Sequence, residues 1–200
     1  LISTLGSSIN LKGARIVLDC SNGAASFIAR SVFERLGVYL VLIGNNPNGF
    51  NINEGCGALN PELVSKCVKE KGAAMGFAFD GDADRLVAID ENGSPLDGDE
   101  LMAIFGIDLA ERGRLINKTV VATVMSNLGL VECLGKFGCT VVRTDVGDRY
   151  VEEMINLKGY NFGGEQSGHL IFHDYHTTGD GILSALQLCE VVKRKDKHLS

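Results

Sequence analysis

Three aspartates stand at alternate positions in Asp80-Gly81-Asp82-Ala83-Asp84-Arg85, with only Gly and Ala between them and a guanidinium directly after. Hard divalent cations such as Mg²⁺ take oxygen ligands, keep part of their coordination sphere for water or phosphate, and need backbone that bends tightly around them. Asp80, Asp82 and Asp84 are therefore candidate metal ligands. The electrostatics favour a cation if the loop handles phosphate. The six residues carry a net charge of −2, and like charges about 4 Å apart repel by roughly 4 kcal/mol at an effective dielectric near 20. A bound dication inverts the local sign, and Arg85 then becomes a second, planar clamp for phosphate oxygens.

Other readings compete for the same residues. A solvated acidic turn is one, since Asp and Gly are ordinary turn residues. A calcium loop is another, with Asp80, Asp82, Asp84 and Glu91 at its positions 1, 3, 5 and 12. It fails on Arg85, which stands where the loop needs Gly, and on the apolar run Leu86-Val87-Ala88-Ile89. A D-x-D pair of a glycosyltransferase, Asp82 and Asp84, lacks an accompanying nucleotide-binding signal.

Three further polar stretches could bind ligands. In Gly163-Gly164-Glu165-Gln166-Ser167-Gly168-His169 the glycines let backbone lie close to a ligand, and Glu165, Gln166 and Ser167 offer acceptors and donors suited to sugar hydroxyls. Thr144-Asp145-Val146-Gly147-Asp148-Arg149-Tyr150 joins a strand to a helix. It reads equally as an anion site with Arg149 or as a turn capped by Asp148. Thr177-Thr178-Gly179-Asp180-Gly181 precedes an apolar helix, which Asp180 either caps or leaves to face a site. His169, His173 and His176 invite a zinc reading, but Leu170-Ile171-Phe172 between the first two looks like a strand and no thiol or acid completes a tetrahedral set.

These loops need a scaffold, and apolar periodicity supplies one. Strands are expected over 14–20, 38–43, 73–79, 86–90, 118–124 and 139–143. Helices are expected over 24–36, 63–71 with Asn60 as N-cap, 98–110, 128–137, 149–157 and 182–192. The aspartate loop falls between two strands. The stretch from Gly44 to Leu59 carries five Asn and four Gly and has no role that composition can name. Alternation of strands and helices indicates sheets covered by helices, and a boundary near Leu96-Asp97 divides the chain into 1–96 and 97–200.

Composition narrows the function classes. The 200 residues are 45% hydrophobic and 22% charged, ordinary for a globular chain. A net charge of −6 without a Lys/Arg run argues against nucleic acid or an anionic membrane as partner. No apolar segment approaches a membrane span and no export signal opens the chain, which points to the cytoplasm. The six cysteines form no C-x-x-C pair and read as reduced thiols. A start at Leu1 and an end just after Lys193-Arg194-Lys195 suggest a piece of something longer.

Together, the aspartate loop, the Gly-Glu-Gln-Ser-Gly-His loop and the Thr-Gly-Asp-Gly helix start resemble the α-D-phosphohexomutase superfamily over the whole chain. Gln166, Val146-Gly147-Asp148-Arg149-Tyr150-Val151 and Met125-Ser126-Asn127-Leu128-Gly129 are similar to its phosphoglucosamine mutase branch rather than to its phosphomannomutase/phosphoglucomutase branch. The resemblance implies two similar three-layer α/β/α domains with mixed sheets, the second and third of four. Domain II, residues 1–96, carries the metal loop, and domain III, residues 97–200, carries the sugar loop. It further implies reversible interconversion of glucosamine 6-phosphate and glucosamine 1-phosphate through a phosphoserine and a bisphosphate intermediate. Asp80, Asp82 and Asp84 would hold Mg²⁺, Arg85 and Arg149 would act on the phosphoryl group, and Glu165, Gln166, Ser167 and His169 would contact substrate. The expected partners are the hexosamine phosphate and the family's first and fourth domains, which bring the phosphoserine and a phosphate-binding loop. A homodimer is compatible with the sequence but not specified by it, and the chain alone is expected to lack mutase activity.

Overall fold

The computed structural model describes residues 1–6 and 9–200. In chain order the elements are β1 (Arg15–Asp19), α1 (Ala25–Glu34), β2 (Tyr39–Ile43), α2 (Glu62–Lys71), β3 (Met75–Phe79), β4 (Leu86–Ile89), β5 (Pro95–Leu96) and α3 (Gly98–Glu111). There follow β6 (Thr119–Thr123), α4 (Leu128–Lys136), β7 (Thr140–Thr144), α5 (Asp148–Lys158), β8 (Phe162–Gly164), β9 (Leu170–Phe172) and α6 (Gly181–Lys195). They pack as two units, Leu1–Leu96 with Gly181–Ser200, and Asp97–Asp180.

The first unit is built on a five-stranded sheet of order β2-β1-β3-β4-β5. Strands β2, β1 and β3 run parallel, and β4 and β5 join antiparallel. A parallel strand covered on both faces reads as a continuous apolar run, which is what Ile16-Val17-Leu18 is. On one face Val17, Ala78 and Ile89 pack against Val64 and Val68 of α2. Burying each of those valines contributes about 1.5–3 kcal/mol relative to exposure. On the other face Phe77 meets Phe33 of α1 at 6.0 Å between ring centroids, and Met75 touches Cys189 of α6 through sulfur at 3.8 Å.

The second unit holds a four-stranded sheet of order β7-β6-β8-β9, with β6 parallel to β7 and β8, and β9 antiparallel to β8. Val121 and Ile171 face Val151 and Ile155 of α5. On the opposite face Phe105 of α3 packs on Phe162 and Phe172. Helix α3 starts with a capping box, Asp97 accepting from the Asp99 and Glu100 N–H groups while Glu100 returns a bond to the Asp97 N–H; such a cap is worth about 1 kcal/mol. Both units are thus three-layered with mixed sheets. Their topologies also match, since β2-β1-β3-β4 repeats as β7-β6-β8-β9. The aspartate loop and the Glu165 loop are each the tip of the antiparallel hairpin in that pattern.

The structure refines the sequence reading in several places. Helix α6 packs on β3 and β4 of the first sheet. Periodicity marks the apolar face of a helix but not the sheet that covers it. Gly163 and Gly164 belong to strand β8 and not to the loop, and a Cβ at Gly163 would lie 2.5 Å from the Val121 carbonyl oxygen. They are small because strands approach, not because a ligand does. Asn60 does not cap α2; its amide donates to the Cys56 carbonyl, and Pro61 takes the N-cap position without a side-chain bond. Asp148 likewise begins α5 without capping it.

Candidate functional site

The tight ends of β3 and β4, paired Phe79 to Leu86, leave residues 80–85 to close a hairpin tip. Ala83 supplies the reversal by adopting φ 65°, a left-handed conformation that costs a non-glycine residue roughly 1–2 kcal/mol. Its N–H bonds the Asp80 carbonyl at 3.2 Å, and the Arg85 N–H donates to Asp80 Oδ1 at 3.1 Å. This tight turn gathers the carboxylates, so that oxygens from Asp80, Asp82 and Asp84 lie within 4.8 Å of one another. Arg85 Nε stands 3.7 Å from Asp80 Oδ2 and 3.8 Å from Asp84 Oδ1.

Burial pushes the Asp80 carboxyl up to about 6. The Arg85 N–H opposes the shift, and the charges of Asp84 and then Asp82 add to it. Three convergent hard oxygens, one of them reluctant to ionise without a counter-charge, form a donor set suited to Mg²⁺ rather than to a soft metal. Among the described residues this is the only grouping of three or more candidate ligands.

The loop is braced from several sides by residues that sequence reasoning did not select. Ser21 Oγ donates to the Asp80 carbonyl at 2.8 Å, the Ala24 N–H to Gly81 at 2.9 Å, and the Gly181 N–H to Ala83 at 2.9 Å. Contact is so close at Gly23 that a Cβ there would lie 2.2 Å from the Gly81 carbonyl oxygen. The Asn/Gly-rich stretch also belongs to this brace. The Asn53 N–H donates to the Ser21 carbonyl, the Asn22 side chain to the Asn51 carbonyl, and the Ala58 N–H to the Phe79 carbonyl. The available signal was Ser21-Asn22-Gly23, a polar glycine turn closing a buried strand.

In the second unit Glu165, Gln166 and Ser167 line a cleft of about 360 Å³ with Asp97, Thr123, Met125 and Val146. The Gly147 N–H donates to Glu165 Oε1 at 3.0 Å, fixing the carboxylate, while Gln166 and Ser167 are exposed. Gly98 explains the close seat of the loop on α3. Its N–H donates to the Gln166 carbonyl at 3.0 Å, and a Cβ there would lie 2.1 Å from the Glu165 carbonyl oxygen.

Two further expected site residues have partners within the fold. His169 is buried, only 2% exposed, and its Nε2 accepts from the Gly179 N–H at 3.0 Å. It holds the Gly179 turn and does not line the cleft. Arg149 lies exposed on α5, with Nε 2.8 Å from Glu153 Oε1. His173 pairs with Asn156 Oδ1 at 2.9 Å, and His176 meets the backbone of Thr178, so the three histidines have separate partners.

Comparison with known proteins bears on both loops. The sequence profile of phosphoglucomutase/phosphomannomutase, alpha/beta/alpha domain II, matches residues 2–93, and that of domain III matches 97–200. Phosphoglucosamine mutase of Geotalea daltonii is 54% identical over 200 residues, which is all of this chain and 44% of that protein. The chain thus spans less than half the length of this relative. A phosphoglucomutase/phosphomannomutase family protein of Burkholderia thailandensis superposes with a TM-score of 0.80 at 27% identity, covering 94% of this chain and 42% of the other. N-acetylphosphoglucosamine mutase of Aspergillus fumigatus, solved in complex with GlcNAc-6P and magnesium, is similar in fold with a TM-score of 0.71 at 20% identity. That match covers 95% of this chain and 48% of the fungal one.

Proposed function

We propose that this chain, which belongs to the phosphoglucomutase/phosphomannomutase family, supplies the metal-binding and sugar-binding loops of a Mg²⁺-dependent phosphoglucosamine mutase. That enzyme would interconvert glucosamine 6-phosphate and glucosamine 1-phosphate through a phosphoserine, carried on protein outside this chain, and a bisphosphate intermediate. The observation that carries the reading is the convergence of Asp80, Asp82 and Asp84 within 4.8 Å, in a chain so similar along its whole length to a phosphoglucosamine mutase.

Asp80, Asp82 and Asp84 would hold Mg²⁺. When bound, the ion supplies charge neutralisation for phosphoryl oxygens during transfer. The protein does the rest by position. Arg85 makes only long contacts with Asp80 and Asp84, and its side chain is 46% exposed, so the guanidinium is free to turn toward a phosphoryl group and grip it in a plane. Glu165, with Oε1 taken by Gly147, keeps Oε2 to accept from a sugar hydroxyl. Ser167 and Gln166 add a hydroxyl and an amide, each able to donate and accept. Such groups suit a substrate that must be held in two orientations, since each can pair with similar hydroxyls presented by one ring edge either way round. His169 is left out of this set. The free thiols of all six cysteines fit a reducing, cytoplasmic setting; among the described residues no helix is long and apolar enough to cross a membrane.

The experiment compares the isolated chain with the full-length protein. The chain should bind Mg²⁺ and form no glucosamine 1-phosphate, while the full-length protein should turn over. Turnover by the chain alone would overturn the division of labour, and failure of the chain to bind any divalent ion would overturn the metal assignment.

A further inference from the structure

Asp19 closes strand β1 and is wholly buried. A carboxylate persists in such a place only where its oxygens are paired, and both are. Oδ1 accepts from the Ser21 N–H at 2.9 Å and Oδ2 from the Gly57 N–H at 2.8 Å. Those donors belong to two separate turns, and each turn grips one of two successive carbonyls at the root of the aspartate loop. Ser21 Oγ reaches the Asp80 carbonyl at 2.8 Å, and the Ala58 N–H reaches that of Phe79 at 2.9 Å. The packing has no slack. A Cβ at Gly44 would lie 2.6 Å from Asp19 Oδ1, and one at Gly57 would lie 2.6 Å from Ser21 Cβ.

The second sheet provides an internal control. Strand β6 occupies the place of β1 in the matching topology, and the pairing of Asp19 with Ile43 corresponds to that of Thr123 with Thr144. The equivalent position is neutral on either register, Thr123 by pairing with the outer strand and Val121 by distance from the hairpin tip, in a unit where that tip carries no cluster of acidic ligands. The topology itself does not require a buried carboxylate at this point.

We propose that Asp19 is a positioning residue for the metal site: it fixes the Ser21 and Gly57 turns, and through them the backbone of Phe79 and Asp80 from which the ligand loop springs. The proposal rests on the reading of Asp80, Asp82 and Asp84 as metal ligands. Groups that orient ligands in this indirect way typically change metal affinity by ten- to a hundredfold when replaced.

The test is titration of the chain with Mn²⁺, followed by electron paramagnetic resonance, for the unaltered protein and for Asp19→Asn, Ser21→Ala and Val68→Ala. Asp19→Asn keeps the shape but offers only one oxygen acceptor, and should weaken Mn²⁺ binding about ten- to a hundredfold. Ser21→Ala leaves the Asp19 bonds in place, removes the hydroxyl shared between the Cys20 carbonyl at 2.7 Å and the Asp80 carbonyl at 2.8 Å, and should weaken Mn²⁺ binding about two- to tenfold, the value of one hydrogen bond. Val68→Ala thins the core on the α2 face and should lower the melting temperature with Mn²⁺ affinity unchanged. Unaltered affinity in Asp19→Asn and Ser21→Ala would overturn the proposal, and so would an equal loss in Val68→Ala, which would show that the loop follows stability in general. If Asp19→Asn does not fold, Ser21→Ala decides. Absence of Mn²⁺ binding in the unaltered chain would strike the metal assignment itself, and this proposal with it.

Discussion

Replacing Gly181 by Ala sets two effects of opposite sign against each other. Gly181 opens helix α6, and helix propensity alone favours Ala over Gly by up to about 1 kcal/mol. The structure argues the other way. The new Cβ would lie 2.5 Å from the Arg85 carbonyl oxygen, 3.0 Å from that of Ala83 and 3.0 Å from Phe79 Cδ1. An ordinary carbon–oxygen contact is about 3.3 Å, so the helix end and the loop must separate by roughly 0.8 Å. Overpacking of this kind costs about 1–3 kcal/mol, and the Gly181 to Ala83 hydrogen bond of 2.9 Å, worth about 1 kcal/mol net, is put at risk. With propensity subtracted, the substitution should destabilise by about 1–3 kcal/mol. For a chain of this size that is a fall of roughly 2–12 °C in melting temperature, accompanied by weaker Mn²⁺ binding because Ala83 and Arg85 move. Thermal unfolding and Mn²⁺ titration measure both. A melting temperature that stays level or rises would refute the claim that α6 braces the loop.

Other outcomes follow from the same geometry. Asp80 holds its proton up to about pH 6 in the folded chain, against 3.8 as a free carboxyl. The metal-free protein should therefore lose this group's contribution to stability as pH rises from about 4 through 6, while affinity for Mg²⁺ should fall as pH drops through 6. Melting curves across that range, with Asp80→Asn as the flat control, check the sign. Asp82→Asn removes one charge from the cluster and should lower Mn²⁺ affinity more than about a hundredfold, since a charge pair near 4 Å is worth roughly 4 kcal/mol; the circular dichroism spectrum should not change. Burial holds the Cys20 and Cys189 thiols up to about 12, so alkylation at pH 8 should spare both until the chain unfolds. The half-buried Cys67 and Cys133 should be labelled first, as mass spectrometry of the peptides would report.

Much of this arrangement was legible in the residues. Apolar runs such as Ile16-Val17-Leu18 and the helical spacing of Val64 and Val68 announce elements because burial imposes a period on a strand or helix. The aspartate loop announced itself because three like charges at alternate positions call for a counter-charge. What stayed hidden depends on contacts distant in sequence. The bonds of Asp19 to Gly57 and of Ser21 to Asp80 join segments that only the fold brings together. The partners of His169 and Arg149, Gly179 and Glu153, are likewise not announced by the motifs in which those residues stand. The glycines at 163, 164 and 181 are small because backbone approaches backbone, a cause that no local pattern distinguishes from ligand binding.

The most direct measurement of the central claim is a substrate panel on the full-length protein. It compares the 1- and 6-phosphates of glucosamine, glucose and mannose, each with Mg²⁺ and with a chelator. Turnover should require the metal and should favour the glucosamine phosphates. A preference for the mannose or glucose phosphates, or turnover that survives chelation, would contradict it.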